Sequence, residues 1–189
     1  MKRFLAFTVL VLLGTGQSFA ADRHELFIEK TAARMDALRA GPKSAWRGGC
    51  IALFRQAFEV NALAGAIARE HWPALGTILR NALKDAVSQR LATECTDILG
   101  KPYPGPPVIR RTSAVGQATK VTVEHVDGNG KQSVVIWRLI PGGQLGMRAL
   151  DVAADGRGLV AMLRGDFEGA LAANNGSIKA AIDALAAGR

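Results

Sequence analysis

The chain is poor in the residues from which metal centres and catalytic dyads are built. Its three histidines (His24, His71, His125) and two cysteines (Cys50, Cys95) show no zinc-ligand spacing, so no metal centre is expected. No Gly-x-Ser-x-Gly elbow, His-Glu-x-x-His pair or P-loop occurs, which removes the commonest hydrolase, metalloprotease and nucleotide-binding signatures. Internal repeats and low-complexity tracts are absent. The formal net charge is +8, but the basic residues, among them Arg34, Lys43, Arg80, Arg110 and Arg148, are scattered and not interleaved with aromatics. Nucleic-acid binding is therefore not expected, whereas attraction to anionic membrane surfaces or acidic partners fits the charge. Beyond the first apolar run, no segment is long and apolar enough to span a bilayer.

What is present begins with an address. Lys2 and Arg3 precede an apolar run from Phe4 to Leu13, and Ser18 and Ala20 hold the small positions before an expected cleavage at Ala21. This is the pattern of a secretory signal peptide over residues 1–20, and no lipobox cysteine stands beside it. Residues 21–189 are then expected to form a single exported domain. In an oxidising compartment Cys50 and Cys95 are expected to form a structural disulfide, with free thiols as the alternative.

Along the chain, Phe27, Ile28, Thr31, Met35 and Leu38 recur at helical spacing between Asp22 and Leu38. A second helix carries Ile51, Phe54 and Phe58, and a short third one carries Leu63 and Ile67 with Asn61 as its expected cap. The chain should turn at Trp72-Pro73, with Pro73 suited to a first helical position. Leu75, Leu79, Leu83, Val87, Leu91, Cys95 and Ile98 predict a helix of about six turns, stopped by Gly100. The proline-rich piece 101–107 cannot continue it. The period then alternates: Val108 to Val115, Lys120 to Val126, Ser133 to Ile140 and Met147 to Val152 predict four strands, and Asp127-Gly128-Asn129-Gly130 a hairpin turn. Helices are expected over Leu159 to Ala173 and Ile178 to Ala187, the last capped by Ser177. The fold class is thus α+β: a helical part over 22–100, an antiparallel sheet of four strands or slightly more over 106–154, and closing helices over 159–187.

Two elements bear on chemistry. Gly156-Arg157-Gly158-Leu159-Val160-Ala161 fits G-x-G-x-x-A, but the strands before it read as antiparallel and no βαβ unit can be completed, so it is a strand-to-helix turn and no cofactor is expected. Asp151 lies in an apolar strand. It is either a base or a carboxylate satisfied by Arg148, Arg164 or backbone donors at the start of the Leu159 helix. The helices carry more apolar face than one sheet needs, and periodicity leaves both a solid core and a dry cavity open.

The strand Met147-Arg148-Ala149-Leu150-Asp151-Val152, the turn Gly156-Arg157-Gly158-Leu159 and Arg164-Gly165-Asp166-Phe167 resemble the C-terminal hallmarks of the MlaC-like, or toluene-tolerance, phospholipid carriers. Two further segments, Leu53 to Ala64 followed by Glu70-His71-Trp72, and the strand Val134 to Leu139, are similar to that family as well. Met147 stands where the family has tryptophan and Gly158 where it has serine. The resemblance, with a hopanoid-associated branch among its members, implies an NTF2-like sheet wrapped by helices around an apolar cavity. It implies a non-enzymatic carrier in the periplasm of a Gram-negative cell, moving phospholipid between an outer-membrane lipoprotein–porin complex and an inner-membrane ABC transporter. Phe54, Phe58, Leu79, Leu83, Trp137, Leu139, Met147, Leu150 and Val152 would line the acyl-chain slot, with Arg148 or Arg138 near the phosphate. The alternatives from the residues themselves are an NTF2-like enzyme on a small apolar substrate, with Asp151 as base, and a cargo-free adaptor.

Overall fold

The computed structural model describes residues 18–102, 105–127 and 129–188. The expected signal peptide lies outside the described residues except for its last three, which open the first helix.

Four helices come first. α1 (Ser18–Ala40) buries Phe27, Ile28 and Thr31, the top of the expected stripe. α2 (Lys43–Ala57) ends when Phe58 turns extended, at φ −108° and ψ 150°. α3 (Val60–Ala68) starts from Glu59 and not from a cap at Asn61, which is the second residue of the helix and exposed. A short 3-10 turn (Arg69–Ala74) carries Pro73 in its interior and not at its start. Arg80 donates to the carbonyls of Trp72 and Pro73 at 3.2 and 3.0 Å and so ties that turn to α4 (Thr77–Leu99).

α4 is the helical spine and touches α1, α2 and α3. Leu83, Val87, Leu91 and Cys95 are buried as the sequence predicts, but the stripe closes on Leu99 while Ile98 is exposed. The reason is local: Cys95 is bonded to Cys50 of α2, and one turn further on Leu99 joins the small cluster of Cys50, Ala92 and Cys95.

The sheet has five antiparallel strands in sequence order: β1 (Val108–Val115), β2 (Ala118–Val126), β3 (Gln132–Pro141), β4 (Met147–Ala154) and β5 (Arg157–Gly158). At the β2–β3 hairpin, Asp127 Oδ1 accepts from the backbone N–H of Asn129 and Lys131, both at 2.9 Å, which is the local bonding that favours aspartate in turns. The two-residue β5 was not expected. Asp155 and Gly156 take φ values of 49° and 78°, the left-handed pair that a tight hairpin needs, so the chain doubles back on β4 before becoming helical.

α5 (Leu159–Ala173) and α6 (Ile178–Ala187) have the expected bounds, and Ser177 accepts from the N–H of Ala180 as its cap. One face of the sheet, through Val121, Val123, Leu139, Met147 and Ala149, forms a single core with Phe27, Phe58, Leu83, Leu163, Phe167 and Leu185 of the helical layer.

Candidate functional site

The site expected between helices and sheet is built around Trp137. On β3 its ring is half-buried and faces the helical layer, opposite Val152 of β4. Phe27 of α1 meets it edge-on at 5.7 Å between ring centres, and Phe58 meets it tilted at 6.0 Å. Phe54, one turn back on α2, continues the stack to Phe58 at 5.1 Å. Phe27 and Phe58 are fully buried, Phe54 half-buried. Four rings at such spacings pack favourably beyond the area they bury. In this structure they pack between the two layers, in the region where an apolar slot was expected.

Phe58 is held there by backbone pairing. It forms a parallel bridge with Ala149, and the N–H of Glu59 donates to the carbonyl of Ala149 at 2.9 Å. The α2–α3 junction is thus stitched to the edge of β4 that β5 leaves uncovered. Arg148 reinforces the stitch by donating to Glu59 Oε2 at 2.8 Å; both side chains are about a third exposed, so the pair contributes below about 1 kcal/mol.

Among the remaining expected lining residues, Leu83, Leu139 and Met147 are buried in the same core and Leu79 and Val152 pack against it. Leu150 is elsewhere. Arg138 pairs with Asp151 but Leu139 pairs with Ala149, so Leu150 is the extra residue of a β-bulge and is absent from that core. Arg138 sits exposed on the other face of the sheet, while Arg148 lines a surface cleft of about 330 Å³ with Arg55, Glu59, Lys84 and Asp85. A second cleft, about 640 Å³, runs between α5 and α6 over Gly165, Gly169 and Ala184.

Asp151 has a structural task. Its Oδ1 accepts from the N–H of Val160 at 3.1 Å and from its neighbour Val152 at 2.9 Å. Gly158, at the cap position of α5, offers no side chain, and a Cβ there would come within 3.3 Å of Asp151 Oδ2. The carboxylate thus does from β4 what an N-cap side chain does locally. Arg148 and Arg164, the other partners considered, turn to Glu59 and to the carbonyl of Ala66. Two positions of the candidate site escaped the sequence reading. Phe27 belonged to a recognised stripe but carried nothing to mark it as Trp137's partner, and Glu59 is paired with a residue 89 positions away.

No protein-family model and no curated protein matches this chain. A solved structure does: the phospholipid-binding protein from Ralstonia solanacearum, determined in complex with a phospholipid, superposes with a TM-score of 0.69 over 91% of this chain and 95% of that one, at 12% identity. The two chains share a fold. At 91% of the chain, the likeness takes in both the helical layer and the sheet.

Proposed function

We propose that this protein is an exported phospholipid carrier that holds acyl chains between its helical layer and its sheet, in the space now occupied by the Phe27–Trp137–Phe58–Phe54 stack. The observation that carries the reading is that stack, in a fold shared over 91% of the chain with a protein solved around a phospholipid. Exposing hydrocarbon to water costs about 0.8 kcal/mol per methylene, so a soluble carrier must offer an apolar interior that opens for cargo. The Lys2-Arg3 leader and its apolar run support export to the periplasm. There the protein would shuttle phospholipid between an outer-membrane lipoprotein–porin complex and an inner-membrane ABC transporter, in the manner of the MlaC-like carriers. An enzyme using Asp151 as base finds that carboxylate already committed to α5.

The test is native mass spectrometry of the protein purified without detergent. Adducts with the mass of phospholipid, released into organic solvent, are the expected result. A protein that emerges empty and also takes up no fluorescent phospholipid from donor vesicles would overturn the proposal.

A further inference from the structure

The face of the sheet turned away from the helices has no cover among the described residues, and its chemistry is uneven. Two cross-strand rows define it. In one, Ser113, Lys120, Arg138 and Asp151 stand side by side; in the other, Arg111, Thr122, Ile136 and Ala153 do. Lys120 and Arg138 are therefore directly opposite on neighbouring strands, with Cβ atoms about 5 Å apart by sheet geometry. Arg111 is diagonal to Lys120.

All three cations are exposed, and among the described residues none has an ion-pair or hydrogen-bond partner. The acidic groups nearby are engaged elsewhere: Glu124 pairs with Arg110 at 2.5 Å, Asp127 caps the β2–β3 turn and Asp151 caps α5. Toward the other end of the same face stand Val108 (42%) and Val134 (43%), both paired with Glu124, and beyond them Val126 (40%); half-buried Ile136 lies between these valines and Arg138.

Like charges placed opposite each other destabilise a sheet. Asp151, opposite Arg138, has its Oδ1 engaged at α5, and no carboxylate stands opposite Lys120 or Arg111, so a polyanionic surface would complete this arrangement. A face with cations toward one end and aliphatic side chains toward the other matches the headgroup layer of an anionic bilayer: the cations meet phosphates and the valines meet the boundary with the acyl chains. We infer that the outer face of the sheet, through Arg111, Lys120 and Arg138, docks this protein on anionic membrane surfaces. An acidic protein would use the charge but would leave the valines at the other end of the face unexplained. The inference stands apart from cargo binding, because an empty protein with this face would still dock.

Vesicle flotation tests it, using the protein as processed and released by a secreting host. The vesicles are of phosphatidylcholine alone, or of phosphatidylcholine with an equal share of phosphatidylglycerol. The wild type is expected to float only with the anionic vesicles, and to be released at high salt as screening shortens the reach of the charges. The triple variant R111Q/K120Q/R138Q should bind roughly 100-fold more weakly, the sum of three surface cations. Its thermal midpoint should hold or rise, since the Lys120–Arg138 repulsion is gone; that readout separates lost docking from lost folding. The matched variant K30Q/K43Q/R47Q, with the same charge removed from exposed positions on α1 and α2, should keep its binding. Equal loss in both variants, equal flotation with neutral vesicles, or no flotation at all would each overturn the inference, the last leaving the face to an acidic protein.

Discussion

A single carboxylate decides how the last strand passes into the first closing helix. Asp151 reaches Val160 because the bulge at Leu150 resets the strand's alternation, and Gly158 leaves room for it. Substituting alanine removes the cap and should cost about 1 kcal/mol, within the range for helix N-caps. Asparagine keeps an oxygen at that place and should lose only a fraction of this. Urea midpoints of Asp151→Ala and Asp151→Asn would show it; equal losses would mean that charge and not the accepted hydrogen bond matters. The sequence offered three partners for Asp151, since Arg148, Arg164 and the helix start all lie within plausible reach. Only the fold shows that both arginines are turned to other acceptors.

At the scale of elements, most of the architecture was legible because the helical and alternating periods are clean. α5, α6 and β1 begin and end where the pattern predicts. What was hidden depends on pairing. Leu150 and Val152 read as residues on one face under strict alternation, and a bulge is invisible until the partner strand is known. Likewise the apolar stripe of α4 closes on Leu99 and not Ile98, because Leu99 joins the cluster built around the disulfide to α2. That bond joins α2 to α4 across 45 residues and, on the chain-entropy account, is worth about 4 kcal/mol through the loop it closes in the unfolded chain. Replacing both cysteines by serine should lower the unfolding free energy by about that amount, read from denaturant midpoints, with the helical circular dichroism unchanged at low denaturant. A loss below about 1 kcal/mol would show that the unfolded chain is not constrained as that account assumes.

The whole molecule consists of two layers whose contact can be read in two ways, as a finished core or as the closed state of a container, and the ring stack is where the readings diverge. Phe27 is the most informative position, because α1 presents its buried ring edge-on to Trp137 in the middle of that contact. Truncating such a ring to alanine typically costs 3–5 kcal/mol, roughly the loss of its transfer energy plus the void it leaves. In a finished core that penalty is the same whatever lipid is present. In a container the void is part of the room the cargo needs. The penalty should then be large in delipidated protein and visibly smaller in lipid-loaded protein, because a ligand bound only by the folded state adds stability that grows with its concentration over its Kd. Thermal midpoints of wild type and Phe27→Ala, each with and without added phospholipid, give the comparison. A penalty for Phe27→Ala that is unmoved by lipid, in a wild type whose own midpoint lipid does not raise, would make the stack an ordinary core and put any cargo elsewhere on the molecule.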